Sequence, residues 1–453
     1  MSRESEKLYE AIGRVGDRQI EEAQASPRQR RLRWIAPLAA VVALAILLTA
    51  VLAGPGKGSA YAVAEAKYPA AEKGGRLYLP HSGDLNRFLR ASTAEFLCDN
   101  GGKNRVCSPL NVYLALSMLA ETAGGESRAQ LLELLDSPDI ETQRQRAKAL
   151  WERSYYDGED AGFCRLASSL WLREDMDYVK AAVDTLAGDY YASVFRGEMG
   201  SEGYNGALQA WLNEQTGGLL REQAGQVQLA PDTVMALAAT IWFKGDWEHK
   251  FDPALTAPQT FHAPSGDMER DFMHGSWEDQ IFWGEGFTGA SLRFSSNRRI
   301  LFLLPEEGKS PEQLLEEGTI PDFLLSDFRN RPEWEQVTLE ISLPKFDVDA
   351  DLDLIPILRD LGVTDILEME KADFTPLLGA APAALTKAEH ACRVKVDEEG
   401  CEAAAYTIVS AGGGAALEPP RTVQFILDRP FFFAILGMDD LPLFMGIVND
   451  PAA

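Results

Sequence analysis

The sequence predicts an α+β domain preceded by one membrane-spanning helix, and three observations carry that expectation. Helical and strand patterns are mixed along the chain rather than alternating as βα units. Val337 to Leu343 alternates Val, Leu, Ile and Leu with Thr, Glu and Ser, the period of a half-buried strand, whereas Leu110 to Leu119 is apolar around most of a helical circumference. Trp34 to Ala53 is a nearly unbroken run of Ala, Val, Leu and Ile, long enough to cross a bilayer.

Arg28, Arg30, Arg31 and Arg33 stand directly before that run, and the positive-inside rule puts this end in the cytoplasm. A secretory signal peptide is the competing reading, since Ala60-Tyr61-Ala62 could serve as a cleavage site. The polar leader of 33 residues is longer than a signal's basic end, which favours an uncleaved single-pass anchor. The expected organisation is a cytoplasmic leader over residues 1–33, a transmembrane helix over 34–53, a tether over 54–75, and an extracellular domain over 76–453. Leu8 to Ala25 could form a short amphipathic helix within the leader. Gly54 to Gly75 is rich in Ala, Gly and Lys, the composition of a tether.

Within the domain, Ser108-Pro109 reads as a helix start, a Ser cap with Pro in the first turn. Gly124-Gly125 ends that helix, and Ala129 to Leu135 is a second helical stretch. Val234 to Phe243, Ile300 to Leu304 and Val337 to Leu343 are strand candidates. Gln424 to Leu427, Phe431 to Leu436 and Leu443 to Val448 are three apolar runs, expected to pair with one another.

Composition excludes several classes. The net charge of −26 disfavours nucleic acid as a partner, because phosphate binding needs clustered Lys and Arg. The charge is uneven: residues 1–33 carry eight Lys/Arg against six Asp/Glu, so the remainder carries −28. Cys98, Cys107, Cys164, Cys392 and Cys401 are an odd number without a Cys-x-x-Cys pair, which speaks against a disulfide framework or a zinc site. A Cys98–Cys107 bridge stays open on spacing alone, with buried thiols the favoured reading. Gly284-Glu285-Gly286-Phe287-Thr288-Gly289 fits a dinucleotide pattern but runs into a strand, so a turn is expected. Asp347-Val348-Asp349-Ala350-Asp351 begins like a calcium loop, but Leu352 and Leu358 stand where the loop needs Gly and Glu. His81, His249, His262, His274 and His390 have no neighbouring ligand at metal spacing. No metal, cofactor or catalytic arrangement is expected.

The most informative stretch begins as a strand at Val394 and Val396, passes Asp397-Glu398-Glu399-Gly400, and enters the row Cys401-Glu402-Ala403-Ala404-Ala405-Tyr406-Thr407. Glu402 to Ala405 favours helix by propensity, yet such small side chains also let a segment slide between two existing strands. Glu398 to Ala405 resembles the hinge of the serpins, the family of serine-protease inhibitors. Other blocks follow in the family's order: Ser108-Pro109-Leu110, Leu166 to Leu172, Trp211 to Gly218, Phe243 to Glu248, Leu343-Pro344-Lys345-Phe346, Ala372-Asp373-Phe374, Asp428 to Phe433 and Pro442 to Pro451.

The resemblance implies a fold of three β-sheets with about nine helices and an exposed reactive loop. It implies a monomeric suicide inhibitor, not an enzyme, whose target is a serine or cysteine protease. The hinge would be Glu398, Glu399, Gly400, Cys401, Glu402, Ala403, Ala404 and Ala405. On insertion, Cys401, Ala403, Ala405 and Thr407 would face inward. The family's spacing puts the attacked bond at Gly414-Ala415, with Leu417 as the alternative because the stretch to Pro430 is long. With no Arg or Lys nearby before Arg421, elastase-like or subtilisin-like targets fit better than trypsin-like ones. His390 matches a histidine that joins a serine, here Ser108, in a polar cluster called the shutter; a surface histidine ahead of a strand is the other reading. The family usually places an asparagine in that cluster where this chain has Ala239. Trp247 and Lys345 match the top of the sheet, where the loop first enters. The runner-up is a non-inhibitory binding module of the same fold at the cell surface.

Overall fold

A computed structural model describes residues 60–69, 85–98, 101–157, 162–326, 334–401 and 420–451. The expected leader, transmembrane helix and most of the tether lie outside these residues, as do Glu402 to Ala405 and the proposed scissile positions Gly414, Ala415 and Leu417. Among the described residues no helix is long and apolar enough to cross a membrane.

The α+β class holds, with eleven α-helices among the described residues and two sheets. The first sheet has eight strands. From edge to edge it runs Tyr61–Ala64, Ala192–Gly197, Phe163–Arg173, Met235–Asp246, Gly400–Cys401, Glu389–Val396 and Phe346–Asp353, with Tyr156–Asp157 added beside Phe163–Arg173. The second has nine strands: Thr422–Ile426, Trp334–Pro344, Gly266–Gly284, Phe287–Arg293, Arg299–Pro305, Phe431–Leu436, Pro442–Val448 and Arg105–Cys107 in order, with Ala257–Ala263 paired to Gly266–Gly284. Two sheets stand where three were expected. The reason is the 19-residue strand Gly266–Gly284, which pairs with Ala257–Ala263 at its start and Phe287–Arg293 at its end, joining two halves into one.

The helix Pro109–Thr122 is buried along nearly its whole length and touches strands of both sheets, Met235–Asp246 and Pro442–Val448. Ser108 caps it, its Oγ accepting the Asn111 N–H at 3.2 Å with Pro109 in the first turn. Phe431–Leu436 is buried at every residue between Arg299–Pro305 and Pro442–Val448.

Several expectations shift. The second helix spans Gly125–Leu134, so Gly125 opens it rather than ending the first. Of the three closing runs, Phe431–Leu436 and Pro442–Val448 pair with each other, but Thr422–Ile426 pairs in parallel with Trp334–Pro344. The Asp347 to Asp351 stretch lies in the strand Phe346–Asp353, and the glycine pattern is a turn closed by Gly284 opposite Phe287. All five cysteines are free, so Cys98 and Cys107 are not bridged.

The segment expected as tether differs most. Tyr61–Ala64 adds an antiparallel strand to the edge of the first sheet, with Tyr61 opposite Arg196 and Ala64 opposite Val194. The Ala66 N–H then donates to Ser193 Oγ at 3.2 Å, and the Lys67 N–H to the Ala187 carbonyl at 3.0 Å. The Tyr68 ring stacks on Trp151 with centroids 5.6 Å apart. Four residues of strand hold because each free edge hydrogen bond and this aromatic contact replace exposure to water.

Candidate functional site: the hinge and the slit it enters

The hinge sits at one end of the first sheet. Cys401 lies opposite Gly245 on one side and Val396 on the other, and Gly400 lies opposite Asp246. Among the described residues no ladder joins Met235–Asp246 directly to Glu389–Val396, so these two strands meet only through Gly400–Cys401. Beside Cys401 lies a small cavity of ≈ 20 Å³, lined also by Ile241, Phe243, Val394, Ile435 and Phe444. Gly400 adopts φ +154°, and a Cβ there would stand 2.2 Å from the Gly245 carbonyl oxygen, so only glycine passes this point. The Cys401 side chain is buried, the facing expected for a residue whose alternate neighbours would line the core.

A ring of polar contacts holds the approach to the slit. The buried Trp247 indole donates to the Asp397 carbonyl at 2.8 Å, and its backbone N–H donates to the Glu399 carbonyl at 3.0 Å. Its ring stacks on Phe294, centroids 4.9 Å apart, which fixes the indole N–H in place. Lys345 Nζ lies 3.0 Å from the Glu398 carboxylate, and the Thr256 hydroxyl donates to the same carboxylate at 2.8 Å. Partial burial pushes the Glu398 carboxyl up, but the hydrogen bonds from its own backbone, Lys345 and Thr256 outweigh it and hold the group below its usual range. Lys250 pairs with Glu399 at 2.6 Å. Next to them, burial raises the Asp246 carboxyl, with Glu399 adding to the rise. Thus Trp247, Lys345, Glu398, Glu399, Gly400 and Cys401 come together. Lys250 and Thr256 join them, and no sequence motif marks either.

A second cluster bridges the slit further down. His390 Nε2 accepts the Ser108 backbone N–H at 2.9 Å and lies 3.1 Å from Cys392 Sγ. Burial lowers the His390 imidazole to about 4, so it is neutral, with its proton on Nδ1. The histidine is buried rather than on the surface, and it meets the backbone amide of Ser108, whose hydroxyl accepts the Asn111 N–H as the helix cap. Ala239 has no side-chain amide, but Asn111, one turn into the same helix, donates its Nδ2–H to the Ala239 carbonyl at 3.0 Å. The polar link to that strand therefore comes from the helix. The Ser-Pro-Leu-Asn spacing places Asn111 one turn after the cap and could have flagged it; nothing local could have named its partner 128 positions away.

Among the described residues no group of three or more His, Cys, Asp or Glu side chains could hold a metal ion. The arrangement is a mechanical one: a slit, a strand already started in it, and two polar clasps.

Comparison with known proteins agrees with this geometry. The family model described as Serpin (serine protease inhibitor) matches residues 86–451. A putative serpin-Z5 from Oryza sativa subsp. japonica is 30% identical over 382 residues, covering 77% of this chain and 85% of that protein. The protein Iris from Ixodes ricinus is 28% identical over 382 residues, covering 82% of this chain and 97% of its own length. Among solved structures, the thermophilic serpin tengpin in its native state superposes with a TM-score of 0.73 at 25% identity, covering 86% of this chain and all of that one. A thyroxine-binding globulin complexed with thyroxine shares the fold at a TM-score of 0.69 and 22% identity, covering 82% of this chain and all of its own. With a family match spanning residues 86–451, most of its length, the chain belongs to the serpin family.

Proposed function

We propose that this chain is a suicide inhibitor of serine proteases, and by the same acyl chemistry of cysteine proteases, held at the membrane by residues 34–53. The protease nucleophile attacks the Gly414 carbonyl, the Ala415 amine leaves, and an acyl-enzyme forms; a shift of register would move the cut to Leu417. The freed segment from Glu402 onward then enters the slit as a full strand. Serpin loop insertion is itself a standard instance of strand addition. A strand of this length adds on the order of 10–15 backbone bonds at about 1 kcal/mol each, comparable to the stability of a typical domain and enough to distort a protease held by its acyl bond.

The observation that carries this reading is Gly400–Cys401 seated between two strands that nothing else joins among the described residues. Small residues from Ala403 to Ala405 suit continued insertion, and the Gly and Ala around the cut suit elastase-like or subtilisin-like enzymes. The thyroxine-binding globulin likeness motivates a second reading, a serpin-fold binding module that does not trap proteases. Incubation with a protease panel separates the two. The inhibitor gives an SDS-stable covalent complex, a cut that mass spectrometry places at Gly414-Ala415 or beside Leu417, and a large rise in melting temperature. A clean cut with no complex and no change in melting supports the binding module.

A further inference from the structure

The loop that follows the strand Met235–Asp246 grips the hinge backbone at two points. The Trp247 N–H donates to the Glu399 carbonyl at 3.0 Å, and the Phe251 N–H to the Glu398 carbonyl at 3.2 Å. Gly400 sits directly opposite Asp246. Four carboxylates flank this seat, and three of them have a lysine of their own. Lys395 lies 3.3 Å from Asp397, Lys345 3.0 Å from Glu398 and Lys250 2.6 Å from Glu399. The fourth, Asp246, is only 6% exposed, and its Oδ1 is buried with no hydrogen-bond partner among the described residues. From its own strand Lys244 faces it, from the loop Lys250, and from the hinge Glu399. The adjoining turn brings the uncharged Ser295, whose N–H donates to the Asp246 backbone carbonyl at 2.8 Å. Lys250 thus stands between two carboxylates and is committed to one.

We propose that Asp246 links hinge seating to protons, with Lys250 as the positioning residue that holds Glu399 beside it. With the Asp246 carboxyl neutral, Gly400–Cys401 closes fully onto the strand. With it ionised, a buried, unpaired charge faces Glu399 and loosens the seat. This link belongs to the native fold and holds whether or not the chain traps proteases. Burial, aided by Glu399 and opposed by Lys250 and Lys244, raises the Asp246 carboxyl. Burial pushes Glu398 up as well, but its hydrogen bonds outweigh this and hold it low. A raised carboxyl weakens the seat while ionised, and that penalty fades as pH falls through its value. A lowered one supports the seat while ionised, and its support is lost only in stronger acid. Seating therefore tightens from neutral to mildly acid pH and loosens again below it.

The Trp247 and Phe251 amides, which donate to the hinge carbonyls, report the seat. Their exchange is followed by mass spectrometry in the full-length chain in detergent, corrected for intrinsic rates, from about pH 7.5 to about pH 3.5. Wild-type protection climbs roughly threefold from neutral to mildly acid pH before it falls. Asp246→Asn, a neutral side chain of the same shape, has the higher protection already at neutral pH and shows no climb. Lys250→Met loses protection at neutral pH and regains part of it on mild acidification, and Lys250→Arg restores the wild-type curve. His390 weakens the whole molecule over the same window, equally in all four chains, and exchange in Phe431–Leu436 reports that common change. The same climb in Asp246→Asn, or a wild-type curve that only falls, overturns the proposal. A Lys250→Met curve identical to wild type removes the positioning role, and with it the charge contact on which the proton link depends.

Discussion

Asn111 places its side-chain amide 3.0 Å from the carbonyl oxygen of Ala239, while three residues earlier the Ser108 N–H bonds His390 at 2.9 Å. Ala239 and His390 lie on the two strands that border the slit. One helix turn therefore grips both lips of the opening. Under the proposed insertion, a strand entering here would loosen one of these bonds, so the helix start would set part of the barrier.

Asn111→Ala leaves a strand carbonyl without its partner, a loss of about 1–3 kcal/mol. The native midpoint in denaturant falls, and spontaneous conversion to a loop-inserted form speeds up. Adding Ala239→Asn returns an amide from the opposite side and recovers much of the loss. A double variant as weak as the single one would show that the amide bond is not what matters.

His390 makes native stability depend on pH. Its folded value of about 4 lies below the ordinary 6.5, so the unfolded chain binds the extra proton between these limits. Stability from this group is complete above pH 6.5 and is lost as pH falls toward 4, on the order of 3 kcal/mol in all. Glu398, held low, adds loss in the acid carboxylate range, whereas Asp246, held high, opposes it. Denaturant titrations of wild type and His390→Gln between pH 4 and 7 isolate the histidine: the variant's curve is flatter across that window.

Gly400→Ala meets both a positive φ and the Gly245 carbonyl. Strain of about 1–3 kcal/mol pushes the hinge out of the slit. Amide exchange of a peptide covering Gly245 to Trp247 accelerates, while exchange in Phe431–Leu436 stays slow. Unchanged protection at Gly245 would mean that the backbone shifts to accommodate the methyl.

Ala403→Arg puts a charge where the inserting strand turns inward. The inserted state then buries a cation at a cost of several kcal/mol, and the variant is cut as a substrate without trapping subtilisin. Undiminished complex on a denaturing gel would refute insertion as the trapping step.

Local chemistry was legible in the sequence, and long-range pairing was not. Ser108-Pro109 announced its helix because capping depends on neighbours in the chain, and Phe431–Leu436 announced itself by apolarity at every position. Of the expected hinge, Glu398 to Cys401 are described, while Glu402 to Ala405 lie outside the described residues. The strand Tyr61–Ala64 was hidden because four residues among Ala, Gly and Lys carry no usable period, and its stability comes from Arg196, Ser193 and Trp151 far along the chain. Two sheets replaced the expected three for a similar reason: only pairing reveals that Gly266–Gly284 is one continuous strand. Lys250 and Thr256 reached the hinge through a loop with no distinguishing pattern, and spacing could not connect them to Glu398 and Glu399.

The length of Gly266–Gly284 has a mechanical consequence. A single girder crossing the second layer, fastened along eleven residues to Trp334–Pro344, resists bending as a unit. Deformation is thereby channelled into the opposite layer, whose centre is stitched, among the described residues, by Gly400 and Cys401 only. The molecule is stiff on one side and unzippable on the other, and that asymmetry gives any released tension a single direction in which to act.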